Sequence, residues 1–166
     1  MTIDFIKGLD KGMENLHKKG AFLTVKNQNK INTMTISWGS IGFMWNKPIF
    51  IAMVRKSRYT YELIENATSF TISIPYKSEM KSALTICGTK SGRDLDKFAE
   101  ARISFCPSNK VDSPIIENCN LYYECKIIYK HPMDNQNPSP EINKTIYSDN
   151  DYHTLYYGEI VACYEK

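Results

Sequence analysis

The sequence predicts a mainly β fold, an antiparallel barrel decorated with short helices. Segments rich in β-branched and aromatic residues recur between turn signals along most of the chain. The helical stretches are too few to cover both faces of a parallel sheet. The glycines, at positions 8, 12, 20, 39, 42, 88, 92 and 158, give neither the dinucleotide fingerprint nor the phosphate-loop spacing of the doubly wound folds. At 166 residues the chain has the length of one domain, and no repeat or linker divides it, so 1–166 is expected to be a single unit.

Leu9, Met13 and Leu16 recur at helical spacing, His17 and Lys18 make the last turn basic, and Gly20 follows where a left-handed cap is wanted; 10–18 is therefore expected to be a short amphipathic helix. Residues 21–26 read as a strand, the polar 27–30 as a turn, and Ile31 onward as the second strand of a hairpin. Ile36, Trp38 and Ser40 then alternate against Thr35, Ser37 and Gly39, until Gly42, Asn46 and Pro48 interrupt the run. The apolar strand 48–54 follows, with its proline first, where a missing N–H does least harm. Residues 60–65 fit a helix of one or two turns, and 69–74 alternate as a strand ending at Pro75. The stretch 77–101 reads as mainly helical with an interruption at 87–93, while 121–129 and 155–164 have strand composition. Between those two strands, 131–140 reads as a surface loop or a hairpin.

A hydrophobic fraction of 42% with 23% charged residues suffices for a core and excludes disorder for most of the chain. Lys plus Arg total 21 against 18 acids, and because these cations are scattered, no sequence-independent nucleic-acid binding is implied. A small or phosphorylated anionic partner is compatible with that charge. Apolar runs such as 49–54 are far too short to cross a bilayer, and the first residues lack signal-peptide blocks, so no membrane association and a cytoplasmic location are expected. The cysteines, at 87, 106, 119, 125 and 163, are odd in number and form no Cys-x-x-Cys pair, which suits reduced thiols better than a disulfide framework or a zinc site; no metal is expected.

Three segments could carry chemistry. Arg55, Lys56, Ser57, Arg58, Tyr59 and Thr60 put three cations and three hydroxyls between a strand and a helix start, a junction able to seat one phosphate. The same residues suit a solvated basic turn capped by Ser57. In 32–38, Asn32, Met34, Ile36 and Trp38 face one way and Thr33, Thr35 and Ser37 the other. A packed face backed by a hydroxylated one suits a planar heteroaromatic ligand, although threonines on a solvated strand are common. The third segment, 87–94, holds Gly88 and Gly92, which permit close backbone approach, and Lys90 and Arg93, which could offset negative charge. A plain connecting loop with Asp94 capping the next helix explains it too. Among single residues, His153 is a candidate for proton exchange near neutrality as well as a structural histidine. Cys87 reads as a buried inert thiol unless positive charge lies close.

Taken in order, the strand 20–25, the segments 32–38 and 55–60, the strand 70–75 and the run Lys90-Ser91-Gly92-Arg93-Asp94-Leu95-Asp96-Lys97-Phe98 resemble the flavin reductase-like, FMN-binding split-barrel family. The likeness is greatest to its flavoredoxin-type branch and extends through His153, Tyr156, Tyr157, Gly158 and Glu159. The resemblance implies an antiparallel split β-barrel of Greek-key type, a homodimer, and FMN in a groove near the subunit interface. Carried over by position, Asn32, Thr33, Met34, Thr35, Ser37 and Trp38 would line the isoalloxazine ring. Val54, Arg55, Lys56, Ser57 and Thr60 would hold the ribityl phosphate, chiefly through Arg55, Ser57 and Thr60, and the loop Lys90, Ser91, Gly92, Arg93 and Asp94 would approach from another side.

The implied activity is NAD(P)H-dependent flavin reduction, a hydride passing from NADH or NADPH to flavin N5; the near alternative is a flavoredoxin-type electron-transfer protein that holds FMN tightly and exchanges electrons with a protein partner. The residues 89–93 lengthen the loop before Lys97-Phe98 relative to the family's monooxygenase reductases, which favours tightly held FMN. A non-enzymatic barrel binding single-stranded nucleic acid is the more distant alternative.

Overall fold

The computed structural model describes residues 3–166. In chain order they form α1 (Leu9–Lys18), β1 (Ala21–Asn27), β2 (Lys30–Ile36), β3 (Gly39–Met44), β4 (Lys47–Arg55), α2 (Tyr59–Ile64), β5 (Ser69–Ile74), a 3-10 turn (Ser78–Met80), α3 (Lys81–Thr89), α4 (Lys97–Ala101), β6 (Phe105–Cys106), β7 (Ile115–Ile116), β8 (Leu121–Pro132), α5 (Pro140–Thr145) and β9 (His153–Glu165). Seven strands make one sheet in the order β2-β1-β5-β8-β9-β4-β3, every neighbouring pair antiparallel. No helix among the described residues is long and apolar enough to cross a membrane.

The sheet has a covered face on either side. Inside the barrel, Leu23, Phe50, Phe70, Tyr123 and Tyr156 are fully buried in one apolar cluster. On the outside, Phe22 and Tyr122 pack with Ala83, Leu84 and Cys87 of α3 and with Ile115 and Ile116 of β7. β5 lies between these layers, so all six of its residues are buried. Its alternation separates two buried surfaces, one apolar and one hydroxylated, and the hydroxyls need partners. Ser69 Oγ meets Ser113 Oγ at 3.1 Å, Thr71 Oγ1 donates to the Pro114 carbonyl at 2.6 Å, and Ser73 Oγ accepts from the Ile116 N–H at 3.1 Å.

Several elements follow the sequence closely. α1 ends with Gly20 at φ +98°, its N–H closing onto Asn15 and Leu16 carbonyls, as the expected left-handed cap requires. The β1–β2 hairpin turns through Gln28-Asn29, pairing Asn27 with Lys30.

Other elements depart from the expectation. The stretch after Gly39 forms β3 and closes onto β4 through Trp45 and Asn46, both left-handed at φ 53° and 57°. β3 is an edge strand with mostly exposed side chains, so burial leaves no period in its sequence. The segment 131–140 is split between the end of β8, an irregular stretch and the start of α5, whose cap is Ser139 Oγ accepting from the Ile142 N–H, with Pro140 at the first helical position. The helical interruption falls at residues 90–96, and Asp96, not Asp94, caps α4 by accepting from the Phe98 and Ala99 N–H groups. All five cysteines are unpaired, with Cys87, Cys119 and Cys125 buried.

Candidate functional site

The edge strands β2 and β3 are consecutive in the chain, joined only by Ser37 and Trp38, and no ladder pairs them. The barrel is therefore split, and a cleft opens beside that corner. An upper cavity of ≈ 300 Å³ lies there, walled by residues 34–38 on one side and by Met53, Arg55, Arg58 and His153 on the other. Register explains the second wall, because pairing of β4 with β9 sets Arg55 opposite His153 and Met53 opposite Leu155. Trp38, 46% exposed, leans over the His153 ring with centroids 5.5 Å apart.

His153 is only 7% exposed. Its Nδ1 lies 2.8 Å from the Tyr147 hydroxyl. Burial, and after it the positive charge of Arg55, lowers its pKa to about 4, so the imidazole is neutral at pH 7. Arg55 is held from behind: its guanidinium donates to the Ile146 carbonyl at 3.0 Å, to the Asp151 carbonyl at 3.1 Å and to Asp149 Oδ2 at 3.2 Å.

A lower cavity of ≈ 210 Å³ adjoins, lined by Ser57, Arg58, Tyr59 and Thr60 from the β4–α2 junction and by Thr89, Lys90, Ser91, Arg93 and Lys97 from the α3–α4 connection. Arg58 lines both cavities. Its Nη1 donates to the Gly88 carbonyl at 2.8 Å, which fixes the guanidinium between them. Lys97, 3% exposed, donates to the carbonyls of Thr33 at 3.0 Å and Cys87 at 2.9 Å. Burial first, and then the neighbouring Arg58, brings its pKa down to about 8. An ammonium has three N–H donors, so Lys97 has one beyond the two these carbonyls engage. Cys87 stays a thiol despite Lys97, because burial raises its pKa to about 11.

The loop between α3 and α4 is clamped over this cavity. Arg93 Nε donates to Glu62 Oε1 at 2.9 Å and its Nη1 to the Ser57 carbonyl at 3.1 Å. Gly92 is pressed against β2 and α2 so closely that a Cβ there would stand 2.3 Å from Asn32 Oδ1 and 2.8 Å from the Tyr59 ring.

Of the residues the sequence singles out, Met34, Thr35, Ser37, Trp38, Arg55 and His153 line the upper cavity, and Ser57, Thr60, Lys90, Ser91 and Arg93 the lower one. Arg55 thus stands with the upper group, apart from Ser57 and Thr60. The other positions support the walls or point away. Asn32 is buried and its amide donates to Thr60 Oγ1 at 2.9 Å, Thr33 is buried against Thr24, and Val54 lies in the core. Lys56 and Asp94 are exposed outside both cavities, and Gly92 packs behind the lower one. Ser57 Oγ is engaged by Asp151 Oδ2. Met53 lines the site without a sequence signal of its own, Thr89 and Lys97 belong to the segments the sequence singles out without being among its expected cofactor contacts, and Arg58, inside the expected segment, is the residue common to both halves.

The donor chemistry fits a phosphorylated planar ring. Four cations, Arg58, Lys90, Arg93 and Lys97, and a hydroxyl-rich turn surround the smaller cavity, a flat apolar and hydroxyl-bearing wall the larger, and together they have the size of a cofactor pocket, about 300–1,000 Å³.

The fold has known counterparts. Flavoredoxin from Methanosarcina acetivorans superposes with a TM-score of 0.68 at 26% identity, covering 89% of this chain and 68% of that one. The NADH:FAD oxidoreductase SgcE6 of Streptomyces globisporus shares the fold with a TM-score of 0.68 at 14% identity, over 100% of this chain and 87% of that one. An uncharacterised protein of Archaeoglobus fulgidus is 26% identical over 149 residues, 90% of this chain and 73% of that protein. The model of the flavin reductase like domain matches residues 13–166, and the chain belongs to that family, with the split barrel its members share.

Proposed function

We propose that this protein binds FMN, with the isoalloxazine ring between 34–38 and the Met53, His153 wall and the phosphate in the lower cavity, and that it acts as an NAD(P)H-dependent flavin reductase. The observation that carries the reading is Arg58, one guanidinium shared by a ring-sized and a phosphate-sized cavity. Bound FMN would supply the redox chemistry, taking a hydride from a nicotinamide and passing electrons on.

The chain's own residues have separate tasks. Arg58, Lys97 and Lys90 neutralise the phosphate. Arg55 and Arg58 favour negative charge on a ring held beside them, as preorganised cations do in a partly dry site. His153, neutral near pH 7, is the candidate to hold or move a proton at a ring nitrogen, with Tyr147 at Nδ1 fixing its orientation. The apolar patch of Phe43, Met44, Trp45 and Tyr129, each at least 40% exposed, is the surface we assign to a homodimer contact.

Freshly purified protein should be yellow with a flavin absorption spectrum, and should oxidise NADPH or NADH faster when FMN is added. Colourless protein that neither takes up FMN nor oxidises either nucleotide would refute the proposal. Electron carriage by tightly held FMN is favoured by one feature, the 90–96 loop fastened over the lower cavity by Arg93. In that case FMN stays bound through gel filtration and added FMN leaves nicotinamide oxidation unchanged.

A further inference from the structure

A second depression, ≈ 670 Å³, runs beside the cleft between the end of α1, the 3-10 turn, α3 and the exit of β2. Four lysines, Lys18, Lys19, Lys77 and Lys81, line it, and no carboxylate does. The groove is continuous with the site described above: Thr35 and Ser37 line both it and the upper cavity, and Thr89 lines both it and the lower one.

The lysines are not equivalent. Lys18 is paired with Glu14 at 2.6 Å and Lys19 donates to the Tyr76 carbonyl at 2.6 Å, each bond engaging one of three N–H donors. Lys77 and Lys81 are exposed and have no side-chain hydrogen bond or ion pair among the described residues. Like charges gathered round one concavity repel one another, and an anion seated among them relieves that repulsion.

We infer that this groove takes the phosphate-bearing end of a pyridine dinucleotide whose nicotinamide enters the cleft past Thr35 and Ser37, and that its lysines select NADPH over NADH; the inference rests on the flavin reductase reading. The volume is that of a small-ligand pocket, about 300–1,000 Å³. The charge count chooses between the two nucleotides. Both carry a pyrophosphate, and NADPH adds a 2′-phosphate of about −1.5 to −2 at pH 7. Two lysines would answer the pyrophosphate; the second pair matches the additional group. Lysine suits the task because an ammonium on a flexible stem reads charge without demanding one planar geometry.

The test uses the FMN-loaded protein and a Lys77→Ser, Lys81→Ser double variant, both positions being exposed. The parent is expected to bind adenosine 2′,5′-bisphosphate at least tenfold more tightly than 5′-AMP by calorimetry, with affinity falling steeply as salt rises. The double variant should lose about tenfold in bisphosphate affinity, the effect of two partly exposed ion pairs, and raise the KM for NADPH similarly while changing that for NADH less than threefold. Equal affinity for the two nucleotides in the parent, or unchanged bisphosphate affinity in the variant, would overturn the assignment. The two readings fail separately. Protein that takes up FMN and turns over nicotinamide but ignores the bisphosphate refutes the groove alone, whereas protein that cannot bind FMN refutes the flavin reductase reading.

Discussion

If Lys97 carries the charge that answers the FMN phosphate, the affinity for FMN depends on pH in a window set by burial. Lys97 titrates at about 8 in the free protein. An unperturbed lysine side chain titrates near 10.4 and a phosphate completes its second ionisation near 6, so the interval from pH 7 to 10 brackets the Lys97 titration. A phosphate beside the ammonium raises its pKa, and above pH 8 the free protein then sheds a proton that the complex keeps. FMN affinity should therefore fall by up to tenfold per pH unit above 8, until the complex also loses the proton. The total loss corresponds to one charge-assisted hydrogen bond, about 1.5–3 kcal/mol, or roughly ten- to hundredfold. Lys97→Met should weaken FMN by the same factor at pH 7 and abolish the pH dependence, and riboflavin should be indifferent to both changes. Equilibrium titration of flavin fluorescence at pH 7, 8, 9 and 10 measures all four cases. A flat FMN profile in the parent, or an unchanged ratio of FMN to riboflavin affinity in the variant, would refute the assignment.

Arg58→Met should weaken FMN by at least tenfold and riboflavin a fewfold, since the residue lines both cavities; loss confined to riboflavin in the same titration would contradict its place at the phosphate. Gly158→Ala should destabilise the fold by about 1–3 kcal/mol, because a Cβ there would stand 2.6 Å from both Cys125 Cβ and the Phe70 ring inside the core. Gly42→Ala, with nothing within 4 Å, is its control, and thermal melts compare the two. For His153, the folded pKa of about 4 lies below the unfolded value near 6.5, so the unfolded chain binds more protons between them and stability falls as pH drops from 6.5 to 4. That loss is at most roughly 3 kcal/mol by the size of the shift. Chemical denaturation at pH 7, 5.5 and 4 should show a shallower decline in His153→Phe than in the parent, and parallel declines would contradict the burial argument.

The parts of the fold legible in the sequence are those whose burial leaves a period. Leu9, Met13 and Leu16 mark α1, and the short polar turn between 21–26 and Ile31 marks the first hairpin. β3 is hidden because its side chains face solvent and its register comes from β4, whereas β5 is legible at 69–74 even though both of its faces are covered, because its hydroxylated and apolar residues still alternate. At the site, the segments 32–38, 55–60 and 90–94 could be recognised as strings of residues, yet a string does not say which side chain looks inward. Asn32 and Thr33 turn out to brace the wall, and Lys97 gains its role from two carbonyls 64 and 10 residues away in sequence. The placement of His153 against Arg55 is a matter of register between β4 and β9, which no local pattern encodes.

The corner at Ser37 and Trp38 gives the cleft a mechanical property. A covalent tether of two residues fastens the end of β2 to the start of β3, while the remainder of each of these edge strands is anchored in an uninterrupted ladder. At that corner the two edge strands can separate only as far as two residues of backbone reach, roughly 7 Å of extended chain, so the connection limits how far the barrel can part there. Lengthening that tether by a single glycine would relax this limit, and a looser fit for any ring seated against Ser37 and Trp38 is the expected result.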